Sequence, residues 1–249
     1  MRSSSQGQSS MSADVTISMV VTLMPTRPDR VACVERMLGK MNLSELVSYK
    51  VIHAEGKHPW HTGKRAWEWL ATQNSTHSLV IQDDVKICED YLETLKKVIA
   101  YRPDDLIGGM MFKRKNLTPK LMGGVQWVKA DTPCGQAIVI PTNQIQTFLD
   151  WIEAHCPQWT HSDSVFGMWL GWGCTPKRFA WTPTPTLVDH DSSFESTMPR
   201  NGKGKFRGTL HSPRFLGENV SGLTRDFSDM TSFASYAEAH PDWIKAMKL

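Results

Sequence analysis

Residues 79–85 read Leu79-Val-Ile-Gln-Asp-Asp-Val85. The apolar run Leu79-Val80-Ile81 stops at Gln82, and two adjacent carboxylates, Asp83 and Asp84, follow it. A short, unbroken apolar run bounded by polar residues is the pattern of a strand buried on both faces. Strands of that kind belong to parallel sheets covered by helices, so this stretch decides for the α/β class. It also raises a chemical question, because neighbouring carboxylates at a strand end repel each other. A divalent cation (Mn²⁺ or Mg²⁺) would remove that repulsion, since hard cations take oxygen ligands and share them with phosphates. The other reading is a solvated turn, whose acids cap the acidic, helix-like segment that follows and runs to about Ala100.

Outward from this point the pattern alternates. Val15–Leu23 is apolar and rich in β-branched residues, and reads as the first strand. Pro25-Thr-Arg-Pro28 breaks it, and Pro28 suits the first turn of a helix. Val31, Val34, Met37, Leu38 and Met41 give that helix an apolar face. Tyr49–Ala54 is expected to be the second strand, Glu55–His61 a loop, and Thr62 the cap of a helix through Gln73. Leu79–Gln82 is the third strand and Leu106–Phe112 the fourth. Further on, Gly135–Pro141 reads as a strand, Thr142–His155 and Ser162–Leu170 as helices, and Phe179–Val188 as extended chain. The expected architecture is a mostly parallel mixed sheet with helices on both faces. In such sheets ligands sit beyond the carboxyl ends of the strands, where Asp83 and Asp84 fall.

Composition sets the limits. The chain has 249 residues, 40% of them hydrophobic and 21% charged, enough for one substantial core. No apolar stretch has the ~20 residues needed to span a bilayer. Residues 1–14 are polar and lack the apolar middle of a secretory signal, so they read as a disordered tail and the chain as cytoplasmic. The five cysteines include no Cys-x-x-Cys pair, which points to reduced thiols and away from a disulfide framework or a zinc knuckle. Domain expectations are one domain over 15–195 and a loop-rich C-terminal extension over 196–249, with a closing helix around Ser235–Met247. The net charge of +3 demands no polyanionic partner. The run 200–208 is different, with Arg200, Lys203, Lys205 and Arg207 and no acid. It reads either as a phosphate-contacting segment or as a solvated loop. The ten tryptophans read as core or as stacking surfaces for sugars and bases.

Taken in order, Thr22-x-x-x-Thr-Arg-Pro-Asp-Arg30, Gly63-Lys-Arg-Ala-Trp-Glu-Trp-Leu70 and Leu79-Val-Ile-Gln-Asp-Asp-Val85 resemble nucleotide-sugar glycosyltransferases of the GT-A (Rossmann-like) fold. The similarity is to the branch containing lipooligosaccharide and collagen galactosyltransferases, and to the small phage enzymes that glycosylate hydroxymethylated DNA bases. It runs from 15 to about 195. The resemblance implies a divalent cation bound by Asp84 and by His190 at the end of a late apolar run. It implies that Asp83 assists, and that Gln82 stands where the family usually has an acid, leaving one charge fewer. Thr22 and Arg27 would cradle the nucleotide, Lys64 or Arg65 would reach the sugar or diphosphate, and Gly135 and Gln136 would line the donor pocket. Asp163, at the start of an apolar helix, would meet the acceptor hydroxyl, as general base in an inverting enzyme or as an orienting group in a retaining one. The other reading of Asp163 is a plain helix cap.

Three functions remain in play, with a nucleotidyltransferase, which also pairs a metal with a nucleotide, as a further enzyme alternative. The first is transfer from a nucleotide sugar, most simply a UDP-sugar, to a hydroxymethylated pyrimidine of phage DNA, with 200–207 on phosphates. The second keeps the donor and changes the acceptor to lipopolysaccharide or another glycan, although no membrane-facing stretch is evident. The third is a non-catalytic nucleic-acid binding module, which would ignore metal and nucleotide sugar alike.

Overall fold

The computed structural model describes residues 14–55, 59–111, 125–157, 162–191, 193, 211–212, 214–229 and 232–235. Within these, ten strands and five α-helices are ordered along the chain. They are β1 (Ile17–Leu23), α1 (Pro28–Lys40), β2 (Leu46–His53), α2 (Pro59–Ala71), β3 (His77–Gln82), β4 (Val85–Ile87), α3 (Tyr91–Tyr101), β5 (Leu106–Gly108), β6 (Trp127–Ala130), β7 (Ala137–Pro141), α4 (Ile145–His155), α5 (Ser162–Met168), β8 (Ala180–Pro183), β9 (Val188–His190) and β10 (Ser232–Ser235). Eight strands form one mixed sheet in the order β10-β6-β8-β5-β7-β3-β1-β2, while β4 and β9 pair separately. β1 runs parallel to both β2 and β3, and β5 parallel to β8. β7 is antiparallel to both of its neighbours. The α/β class with helices on both faces is therefore what the chain adopts.

Strand alternation shows how both faces are covered. Met19, Val21, Leu79, Ile81 and Val139 join one core with Val34 and Met37 of α1 and Leu92, Leu95 and Ile99 of α3. Their alternates Val20, Val80, Ile138 and Ile140 join the opposite core with α2, α4 and α5. Each fully buried aliphatic side chain contributes about 1.5–3 kcal/mol of transfer free energy, so the central strands specify their register strongly. The second core is aromatic. Phe148 stacks on Phe166 at 4.5 Å between centroids, and Trp67 meets Phe166 edge-on at 5.5 Å. Trp60, Trp67, Trp127 and Trp169 are all buried, so these tryptophans are core. Trp172 is exposed.

Several boundaries differ from expectation. The segment after Asp84 is not helical at once. Val85–Ile87 is β4, antiparallel to β9, and the helix waits until Tyr91, after Asp90 takes a left-handed backbone at φ 51°. The apolar-polar-apolar order Val85-Lys86-Ile87 is a period-two signal too short to outweigh the acidic run beside it. α2 begins at Pro59, ahead of Thr62, with the proline in the first turn. β6 and β10 were not expected as strands. The expected tail over 1–13, the basic run 200–208 and the closing helix beyond Ser235 lie outside the described residues. Among those described, no helix is long and apolar enough to cross a membrane.

Two features of the frame generate tests. Gly109, just past β5, lies between β7 and β9: its N–H donates to the Ala137 carbonyl at 2.8 Å and its carbonyl accepts from Val188 N–H at 3.2 Å. A Cβ there would stand 2.8 Å from Ala137 Cβ and 3.1 Å from Val188 Cγ2. Gly109→Ala is expected to cost about 1–3 kcal/mol by overpacking; an unchanged urea midpoint would show that β9 can retreat freely. The second is His77, at the amino end of β3, whose Nε2 meets the Pro103 carbonyl at 2.8 Å. Burial holds its pKa below the ordinary 6.5, against the opposing pull of that carbonyl. The unfolded chain then binds the proton more readily, so stability is lost as pH falls through and below that value. The fall in urea midpoint between pH 8 and pH 5 should be smaller in His77→Gln than in the parent; equal falls would assign the acid sensitivity elsewhere.

Candidate active site

Parallel pairing brings the carboxyl ends of β1 and β3 level, with Thr22 opposite Gln82. Beyond that edge the chain runs into the first loop on one side and the acidic pair on the other. Asp83 ties the two together: its Oδ2 accepts the Met24 N–H at 2.7 Å. Its Oδ1 accepts a hydrogen bond from Nη1 of Arg30, in the first turn of α1. The same Nη1 lies 2.8 Å from Asp84 Oδ2. The Arg30 side chain is only 4% exposed, and the two carboxylates 9% and 11%. The acidic pair therefore already has a buried counter-ion.

The late strand closes the other side. β9 pairs with β4 so that His190 stands opposite Val85, and the Asp191 N–H donates to the Asp84 carbonyl at 2.8 Å. This delivers His190 Nε2 to 3.3 Å from Asp84 Oδ2. Two buried atoms here, Asp84 Oδ1 and His190 Nδ1, have no hydrogen-bond partner among the described residues. Such atoms are costly to leave unpaired, which favours a missing polar partner at this site. Burial pushes the Asp83 carboxyl above its usual range, and the Met24 N–H and Arg30 only partly oppose it. Burial acts on Asp84 too, but there the His190 hydrogen bond and the Arg30 charge prevail, and its carboxyl lies below the usual range.

The donor set fits a small divalent cation. A carboxylate and an imidazole are donor types such an ion accepts, and here the two stand 3.3 Å apart and share a hydrogen bond. Two protein donors leave positions for diphosphate oxygens, as such ions prefer. Among the described residues no group of three or more acidic, histidine or cysteine side chains surrounds a common point. Asp83 is turned toward Met24 and Arg30 instead.

The other sequence-derived residues are placed as follows. Gln82 and Gln136 are adjacent, the Gln82 N–H donating to the Gln136 carbonyl at 2.8 Å. Gln136 Oε1 is buried with no hydrogen-bond partner among the described residues, and Gly135 lies in the turn before it. Thr22 Oγ1 contacts the Ile81 carbonyl at 3.5 Å. Arg27 grips Asp29 at its own helix start through Nε at 3.0 Å and Nη2 at 2.6 Å. Arg65 stands at the carboxyl end of β2, 3.0 Å from Glu55 and 3.4 Å from the His53 carbonyl. Lys64 faces α4, bound to Glu153 at 3.1 Å, and is not brought to the acidic pair by any of these contacts. The Asp163 side chain and all of Arg200, Lys203, Lys205 and Arg207 lie outside the described residues.

Sequence reasoning left Arg30 among the basic residues of the Thr22–Arg30 segment that could face a nucleotide, and gave no sign of its pairing with Asp83 and Asp84. It also passed over Asp189, on β9, whose carboxylate accepts the Ser212 N–H at 2.6 Å and meets His211 Nδ1 at 2.9 Å. Those bonds fasten the chain near 212 to the strand that carries His190. Two buried thiols are poor nucleophiles: burial pushes Cys33 up to about 11 and Cys88 up to about 12.

No protein-family model matches the chain. No curated protein matches it either. Among solved structures, the glycosyltransferase GlyE of Streptococcus pneumoniae TIGR4 is similar over 67% of this chain and 45% of its own, at 11% identity and a TM-score of 0.40. The chain thus spans less than half of that structure's length. The galactosyltransferase LgtC, solved with donor and acceptor sugar analogues, covers 61% of this chain and 69% of its own at 9% identity and a TM-score of 0.35. A glycosyltransferase involved in glycosylating the major capsid of PBCV-1 covers 65% and 78% at 10% identity and a TM-score of 0.31. These are partial likenesses of shape and do not speak to this chain's chemistry.

Proposed function

We propose that this chain is a glycosyltransferase that takes its sugar from a nucleotide sugar, with a divalent cation held by Asp84 and His190. The observation that carries the reading is the meeting of those two side chains, Nε2 to Oδ2 at 3.3 Å, beyond the carboxyl end of β3. In a sheet of this kind that edge is the ligand-binding edge. Bound there, the cation would neutralise the charge that develops on the departing diphosphate.

The protein's own groups divide the remaining work. Met24 and the first loop are anchored by Asp83, so the backbone that faces the nucleotide is fixed before it binds. Thr22, Arg27 and Arg65 stand around that loop, and Gln82, Gly135 and Gln136 line the side toward β7. The buried Oε1 of Gln136 is an acceptor waiting for a donor, such as a sugar hydroxyl. Asp163 serves the acceptor hydroxyl. As a general base it takes the proton while the oxygen attacks the anomeric carbon and the sugar–phosphate bond breaks.

The acceptor we favour is a hydroxymethylated pyrimidine of phage DNA. The support is compositional: Arg200, Lys203, Lys205 and Arg207 supply four positive charges without an acid over 200–208. A base hydroxyl must leave the duplex stack to reach a buried site. Phosphate contacts by these four would make affinity fall with salt, and removing one is expected to lower the log–log slope by about one.

The direct test is intact-product mass spectrometry with Mn²⁺, a panel of nucleotide sugars, and DNA with or without hydroxymethylated bases. A sugar-sized gain only on the modified DNA is expected. Release of UDP without any gain on DNA would move the acceptor to a glycan. Salt-sensitive DNA binding indifferent to metal and donor would mean a binding module. A nucleotide-sized gain would mean a nucleotidyltransferase. Asp84→Ala and His190→Ala should each lower turnover at least about a hundredfold while circular dichroism stays unchanged; turnover surviving in either would remove that residue from the cation.

A further inference from the structure

We propose that Arg30 is a resident counter-ion that competes with the divalent cation for Asp84 Oδ2, so that the cation binds firmly only together with the donor diphosphate. The inference rests on the reading of Asp84 and His190 as the cation's ligands. Arg30 Nη1 donates to Asp83 and lies 2.8 Å from Asp84 Oδ2, the same oxygen that faces His190 Nε2 at 3.3 Å. A cation held by Asp84 would draw on the same carboxylate that the guanidinium already neutralises.

The charge balance points the same way. One guanidinium against two carboxylates leaves the buried cluster with a single net negative charge, and a divalent ion alone would turn it positive. Charge of either sign is costly in a buried site unless it is matched. The diphosphate brings the missing negative charge, so ion and nucleotide stabilise each other, and each raises the affinity of the other by the same factor. Arg30 is placed for this by its helix. Pro28 starts α1 just after the first loop, and the third helical residue faces inward beneath that loop.

The test titrates Mn²⁺ against the full chain, following the free ion by electron paramagnetic resonance, with and without UDP. The parent should bind Mn²⁺ weakly alone and more tightly with UDP. Arg30→Met should bind it at least about tenfold more tightly without UDP, the worth of one lost charge-assisted hydrogen bond from the competitor, and UDP should then add less. A merely structural arginine would leave the affinity unchanged or lower it. Because that variant leaves two buried carboxylates without their cation, the double variant Arg30→Met/Asp83→Asn guards against misfolding. It keeps the local net charge, and the side-chain amide oxygen it introduces can still accept the Met24 N–H. Tighter Mn²⁺ binding in the double variant therefore reports release of Asp84 Oδ2 itself. Unchanged or weaker binding in both variants, beside a parent that binds Mn²⁺ with UDP, overturns the competition and leaves the cation site standing. A parent that binds no Mn²⁺ with or without UDP overturns the site, and the competition with it.

Discussion

The hydrogen bonds of the Asp83 carboxylate hold together the edge of the sheet where β1 and β3 end. One oxygen takes the backbone N–H of Met24 and the other takes Arg30, so a single side chain joins the end of β3, the first loop and the first turn of α1. Hydrogen bonds to charged groups contribute about 1.5–3 kcal/mol each, and more is lost when a buried partner is left alone. None of residues 24–27, in the loop after β1, is fully buried. Its position follows from charge, and the charge is kept in place by burial.

That arrangement presupposes a rigid frame, and the frame comes from strands buried on both sides. Val20 and Val21, or Val80 and Ile81, serve opposite cores although they are neighbours in sequence. A slip of one residue would exchange the faces and bury the wrong set, so β1 and β3 are held level. Level strands put Thr22 beside Gln82, and the loop and the acids then emerge side by side. β7 enters antiparallel beside β3, which is why Gln136 meets Gln82 from a distant part of the sequence.

This frame was legible because unbroken apolar runs carry its signal locally. Val15–Leu23 and Leu79–Gln82 read as buried strands, and Pro28, coming after a break, marks a helix start. The short strands were not legible. β4 is three residues inside an acidic stretch, and its strand form depends on pairing with β9, about a hundred residues away. Asp84 and His190 could be named through the resemblance, but their approach to each other is made by that same distant pairing. Arg30 was hidden for a related reason. An arginine in the first turn of a helix ordinarily reads as exposed, and nothing local shows that two carboxylates wait beneath it.

The cluster also separates the two acids into different kinds of group. They are adjacent in sequence, both nearly buried, and share one guanidinium, yet burial dominates in Asp83 while the His190 and Arg30 contacts dominate in Asp84. Like charges this close resist ionising together, and the environment settles which one does so more readily. Asp84, the readily ionised member, is the one that faces an imidazole and keeps an unpaired oxygen. Asp83 spends both oxygens on the fold. The doublet is thus one clamp and one acid with an oxygen to spare, and the two are not equivalent groups.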